Sequence, residues 1–293
     1  MEKWDMNKDY LKYFFALLLF GSNGIVASHI SLTSYGIVLM RTMIGSILLI
    51  LLFAVTKQEV SFTKNKKDLL FITLSGVAMG VSWMFLYEAY AEIGVGLASL
   101  AYYCGPVIVM ILSPILFREK LTWVKVAGFI SVVIGIVFVN GRVVHDELQT
   151  WGLFCGGMSA VMYAAMVIFN KKSERIEGLE NATIQLLVSF LTAAVFVGTK
   201  NGFALRINGN DWVWIIVLGL LNTGIGCYCY FSSIGKLPLQ TVAICGYVEP
   251  LSAVVFSVVF LDESMMPLQI AGAILIIGGA VFGECFHHKS LAR

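Results

Sequence analysis

Runs of about 20 apolar residues, each long enough to cross a hydrocarbon layer of about 30 Å, follow one another along nearly all of this 293-residue chain. No other feature constrains the fold so strongly. Inside lipid an unpaired backbone amide or carbonyl costs several kcal/mol, so each run is expected to close its own hydrogen bonds as a helix. A 58% hydrophobic and 13% charged composition excludes an ordinary soluble domain.

Polar breaks divide the chain into ten expected spans, near residues 10–29, 34–56, 68–87, 95–117, 121–140, 150–170, 181–200, 211–234, 237–260 and 264–286. The short connectors suit antiparallel neighbours. Glycines such as Gly76, Gly80, Gly128, Gly135, Gly156 and Gly279 suit close helix packing, since lipid offers no hydrophobic drive for helices to associate. The first run follows a basic leader (Lys3, Lys8, Lys12) with no small-residue cleavage site behind it. It reads as an uncleaved first helix.

Lysine and arginine set the orientation. Sixteen fall on one side: the N-terminal leader, the connectors carrying Lys57–Lys67, Arg118–Lys125 and Lys171–Arg175, Lys236, and the tail with Lys289 and Arg293. Three (Arg142, Lys200, Arg206) fall on the other, and Arg41 lies inside span two. Both termini are therefore expected in the cytoplasm. The positive charges sit in connectors rather than in one patch, so nucleic acid is not an expected partner.

At an interval of 144 residues the chain repeats itself without gaps. Tyr103, Pro106, Ser113, Glu119, Ala127, Gly128, Ile130, Gly135, Val137 and Phe138 return as Tyr247, Pro250, Ser257, Glu263, Ala271, Gly272, Ile274, Gly279, Val281 and Phe282. A unit of five spans is odd, so its second copy enters the membrane upside down. The turn Phe117-Arg118-Glu119-Lys120 returns as Leu261-Asp262-Glu263-Ser264, keeping the glutamate and losing both cations. Inverted repeats mark secondary transporters, whose sites lie near the midplane between the halves. The expected fold is an all-α polytopic membrane protein of ten transmembrane helices in two inverted five-helix repeats. The first repeat covers residues 10–140 and the second 150–286, between a cytoplasmic segment (1–9) and a cytoplasmic tail (287–293).

One difference between the copies stands out: Gly246-Tyr247-Val248-Glu249-Pro250 carries a carboxylate where copy one has Gly105. An acid at that depth costs about 2.5–3.5 kcal/mol on insertion scales, so its default reading is functional. Glu249 is either a protonatable site coupled to solute or a hydrogen bond tying span nine to a neighbour. Arg41 lies only seven residues after Ser34. It is either a snorkelling interfacial cation or a counter-ion for Glu249 or for a solute carboxylate. Pro106 and Pro250 occupy matching positions and are candidate helix bends; Pro114 has no twin. Asn23 and the aromatics Trp83, Tyr87, Tyr102, Tyr103, Tyr163, Tyr228 and Tyr247 are candidates for a partly polar cavity suited to stacking and cation–π contact. Each has packing as its alternative. Glu88 and Glu92 read as solvated, and Asn181-Ala182-Thr183 as a glycosylation acceptor silenced by its cytoplasmic side. The six cysteines all lie in apolar runs without metal-ligand spacing, so no metal, cofactor or catalytic constellation is expected.

Ten spans, the five-plus-five duplication, the Tyr-x-x-Pro and Tyr-x-Glu-Pro turns followed 13 residues later by Glu, Phe20-Gly21-Ser22-Asn23, Trp151-Gly152 and Arg41 together resemble the drug/metabolite transporter superfamily in its EamA-type branch. The resemblance covers about residues 10–286. It implies an exporter of amino acids, nucleobase-like metabolites or amphipathic and cationic drugs, driven by an ion gradient. Protons are the expected ion, alternating access the expected mechanism, and a bacterial plasma membrane the expected location, as monomer or homodimer. A membrane enzyme or a passive channel are the rival readings; the enzyme lacks clustered acids or a His/Ser/Cys constellation. An impermeant thiol reagent should label a cysteine placed at Arg118 only from the cytoplasm and one at Asp262 only from outside; labelling from one common face would refute the inversion.

Overall fold

The computed structural model describes residues 2–56, 60–102, 104–118, 122–140, 150–201, 207–261 and, in the last span, 267, 268, 270–272, 274, 275, 278, 279 and 282. Among them every regular element is a helix. In order these are α1 (Glu2–Gly21), α2 (Asn23–Ser28), α3 (Ser34–Thr56), α4 (Lys66–Tyr102), α5 (Gly105–Phe117), α6 (Trp123–Asn140), α7 (Thr150–Lys172) and α8 (Gly178–Asn201). Then come α9 (Asp211–Val217), a π-helical segment (Leu218–Ile225), α10 (Gly226–Ile234), α11 (Leu239–Cys245) and α12 (Val248–Leu261). Among the described residues six helical stretches, including Tyr35–Thr56, Thr150–Lys172 and Gly178–Lys200, are apolar and long enough to cross a membrane. The chain is an all-helical polytopic membrane protein.

Four features differ from expectation. Helix α1 begins at Glu2 rather than at residue 10, because nothing in its charged leader breaks a helix. Span one divides at Ser22, and span nine divides around Gly246 and Tyr247. Helix α4 runs unbroken through the expected connector between spans three and four, since Glu88, Ala89 and Glu92 are compatible with a helix. It nevertheless doubles back. A Cβ placed on Gly156 would meet Ala101 Cβ at 2.7 Å and Ala89 Cβ at 4.0 Å, whereas 12 residues of straight helix separate their ends by about 18 Å.

Helix α7 is held along both legs of α4. Ser75 Oγ donates to Met166 O (2.7 Å) and Ser82 Oγ to Ser159 O (2.8 Å), which sets the first leg antiparallel to α7. The second leg and α5 run parallel to it, with Gly105 packed on Ala160 O and Tyr163. Helix α1 packs in the same manner on the far half. Asn222 Nδ2 donates to Leu19 O and Ser22 Oγ, both at 2.8 Å. Gly226 meets Phe20, and Gly21 meets Glu249 O. Helices α3 and α8 cross through Gly45 and Leu186. Helix α6 meets the last span through Ser131 Oγ, which donates to Leu275 O at 3.1 Å.

The polar ties cluster at two ends. At one, Glu180 accepts from the amides of Ser61 and Phe62 (2.8 Å each), Asp68 accepts from Arg175 N (2.9 Å), and Lys171 Nζ donates to Gly235 O and Leu237 O. Gly178, at φ +60, supplies the left-handed turn before α8 there. At the other end Asp211 accepts from Ser31 N (3.1 Å) and Lys200 pairs with Glu88 (3.0 Å). Glu88 is thus an ion-pair partner and not the freely solvated acid expected from its sequence. Asn181 is buried and bonded to Asn170 and Gln185.

The glycines of α4 and α7 separate tight from open positions. A Cβ on Gly76 would lie 2.8 Å from Gln185 O and 2.8 Å from Val188 Cβ, whereas one on Gly157 meets nothing within 4 Å. Gly76→Ala should lower stability by about 1–3 kcal/mol through overpacking. Gly157→Ala should leave it unchanged or raise it by up to about 1 kcal/mol. Thermal unfolding of both variants in one detergent checks this.

Candidate functional site

Arg41 is buried on α3, 5% exposed. Its guanidinium does not snorkel to the interface. It turns inward, lies 4.9 Å from the Trp83 ring centroid, and donates from Nε to Thr223 Oγ1 at 2.9 Å. Thr223 is presented by the π-helical segment. Its hydroxyl donates to Leu218 O, five residues back, at 2.8 Å, so the widened turn supplies both the acceptor and the orientation. Gly219 and Gly224 let that segment press on Ile44 and Leu48 of α3. Among the described residues Nη1 and Nη2 of Arg41 make no hydrogen bond, and neither is sealed off. Two donor groups of a buried cation are therefore left open.

Glu249 is half-buried as the second residue of α12, just past the break at Gly246 and Tyr247. Arg41, Tyr13 and Tyr163 all lie within electrostatic reach of it. No ion pair joins Glu249 to Arg41 directly. Beneath it the backbone of α1 comes so close that a Cβ on Gly21 would meet Glu249 O at 2.8 Å. Three irregular stretches meet here: the α1–α2 break, the π-helical segment and the α11–α12 break. Backbone of this kind is tolerated at membrane depth only where protein or a wet cavity satisfies it.

The aromatics form a connected series. Tyr102 meets Tyr163 edge-on (5.4 Å), Tyr163 and Tyr230 share a hydroxyl contact at 3.3 Å, and Tyr230 packs on Tyr13 (5.5 Å) and Phe20 (5.8 Å). Tyr13 donates to Val242 O at 2.8 Å. Of the expected cavity residues, Trp83 lies under Arg41, while Tyr102 and Tyr163 belong to this series. Tyr87 packs with Met84 and Ala193. Tyr228 is drawn to Lys12 (5.7 Å) instead, and Tyr247 is fully buried against Phe129 (6.1 Å). Asn23 opens α2 with its Oδ1 buried and unpartnered. Pro106 and Pro250 fall in the first turns of α5 and α12, where a missing amide costs little. They follow breaks in the chain and do not kink a helix midway. Tyr103 lies outside the described residues. Thr223, Asn222, Tyr13 and Ser252 were not anticipated; the glycines at 219, 224 and 226 were the available signal.

Among the described residues no three His, Cys, Asp or Glu side chains gather as metal ligands. A buried guanidinium with open donors, a carboxylate and a series of phenols are thus gathered inside a membrane bundle. The EamA-like transporter family matches residues 8–141 and again 150–282, and the chain belongs to that family. It is 24% identical over 278 residues to the uncharacterised transporter YxxF of Bacillus subtilis (strain 168), covering 92% of this chain and 87% of YxxF. It is 25% identical over 258 residues to the threonine/homoserine exporter RhtA of Escherichia coli (strain K12), covering 84% and 80%. A probable terminal-alkyne amino-acid exporter of Streptantibioticus cattleyicolor is 26% identical over 239 residues, covering 78% and 76%. A solved crystal structure shares the fold at a TM-score of 0.81 and 17% identity, over 95% of this chain and 98% of that one.

The Arg41 support gives a direct test. Thr223→Val leaves a buried charged donor unpaired and should cost about 1–3 kcal/mol, whereas Thr223→Ser keeps the acceptor and should stay near the parent. Melting temperatures of the two variants measure the difference.

Proposed function

We propose that this protein is a proton-coupled secondary exporter of a small solute of amino-acid type, working by alternating access in a bacterial plasma membrane. The observation that carries the reading is the pair of opposite charges at the irregular backbone. Arg41 keeps Nη1 and Nη2 open, and among the described residues no hydrogen bond or ion pair reaches the Glu249 carboxylate. In this reading Arg41 takes the solute carboxylate in the two-pronged geometry that a guanidinium favours. Glu249 binds either a proton or the solute ammonium, so that loading one displaces the other. Trp83, Tyr163 and Tyr102 wall the apolar part.

The family match and the exporter names of RhtA and the Streptantibioticus protein support solute export. Ten spans in two inverted repeats, residues 10–140 and 150–286, with cytoplasmic termini, fit the double match of the family. The contact between Ser131 and Leu275, residues 144 apart, is what a two-fold axis between the copies would produce. Rocking one half against the other about that axis would expose the site to each side in turn.

Counterflow in liposomes tests it. Purified protein loaded with unlabelled threonine or homoserine should accumulate the labelled amino acid, and an imposed pH gradient should drive it uphill. Glu249→Gln should retain exchange and lose the response to the gradient. A Glu249→Gln protein that still responds to pH would overturn the coupling; no amino acid giving counterflow would overturn the solute class.

A further inference from the structure

A cavity of about 470 Å³ lies between α4, α7 and α8, with Arg41 not among its lining residues. Its walls are apolar, formed chiefly by Val81, Met84, Phe85 and Phe196. One end is closed by the ion pair of Lys200 and Glu88, 3.0 Å apart, with the two side chains 44% and 19% exposed. Lys200 also sits 4.8 Å over the Tyr35 ring and donates to its hydroxyl. Trp151, at the first turn of α7, stands on the rim. Tyrosine and tryptophan at this level match the interfacial belt where lipid headgroups lie. From Glu88 to Val81 is seven residues, so the cavity descends about 10 Å toward the midplane. Beside it Phe154, Leu191 and Val195 are exposed by half or more, which turns this side of the bundle toward lipid.

The geometry points to this cavity as a binding site for one phosphatidylethanolamine molecule, with an acyl chain inside and the headgroup on the ion pair. The charges select the headgroup. Lys200 and Glu88 together carry no net charge, so a singly anionic headgroup gains at the lysine and loses at the glutamate. A zwitterion laid alongside gains at both, its phosphate on Lys200 and its ammonium on Glu88. A primary ammonium also offers N–H donors to the Glu88 carboxylate for charge-assisted hydrogen bonds, which a trimethylated ammonium cannot. The apolar walls account for the chain, in a volume typical of sites for small ligands. This site is independent of the transport reading, because nothing in it requires solute to move.

Native mass spectrometry of the full-length protein tests it, with protein released from detergent containing equimolar phosphatidylethanolamine, phosphatidylcholine and phosphatidylglycerol. One phosphatidylethanolamine should be retained roughly tenfold over either competitor, about 1.4 kcal/mol. The double variant E88Q/K200Q should bring the ratio close to one. Should that variant fail to fold, Val81→Trp fills the cavity with the ion pair intact and should abolish retention. Equal retention of the three lipids, preference for phosphatidylglycerol, or a preference unchanged in either variant would overturn the assignment.

Discussion

A guanidinium held out of water in a membrane bundle dictates what surrounds it. Arg41 cannot lose its proton, so the fold must meet the charge with groups placed for it. It does so with one ring face and one hydroxyl, Trp83 and Thr223. The hydroxyl is available because the helix carrying it is wound too wide. The π-helical segment turns Leu218 O toward Thr223 and leaves room for glycines that bring it against α3. Everything else in the candidate site is arranged around a charge that is supported but not neutralised.

The same logic explains why irregular backbone is concentrated in one region. The α1–α2 break, the π-helical segment and the α11–α12 break each forgo regular helical hydrogen bonds. Within lipid that is tolerable only where neighbours compensate. Asn222 compensates for the α1 break by donating to Leu19 O and Ser22 Oγ. Ser252 does so at α12 by donating to Glu249 O. Irregular backbone thus gathers around Arg41 and Glu249.

Much of this was legible in the chain itself, for a physical reason. Lipid imposes a minimum length and an apolar composition on each crossing, so the helices and most of their limits could be read from hydropathy. The charges of Arg41 and Glu249 could be read because they violate that composition. The bend beside Pro250 could be read too, although it falls at Gly246-Tyr247, ahead of the proline. The division at Gly21-Ser22 could not, since both look like ordinary small residues in an apolar run. Nor could the π-helical turn, which changes hydrogen bonding without changing residue type. Tyr228 and Tyr247 look equivalent to Tyr163 on paper, yet one is drawn to Lys12 and another is packed on Phe129. Which aromatic faces a cavity is decided by helix rotation, and a hydropathy pattern fixes rotation only coarsely. Arg41 left two readings open, because its depth allowed an escape to the interface and its hydrogen-bond partner lies 182 residues away.

The exchange of first helices between halves has a consequence for biogenesis. Helix α1 finds its partners on α10, α11 and α12, through Phe20, Tyr13 and Gly21 respectively, while α7 settles on α4 and α5. Helix α1 must therefore wait in the bilayer for these partners until more than two hundred further residues have been synthesised. Closing so long a loop is slow. A nascent chain halted at its midpoint would hold α1 without these later partners and the surface of α4 without α7.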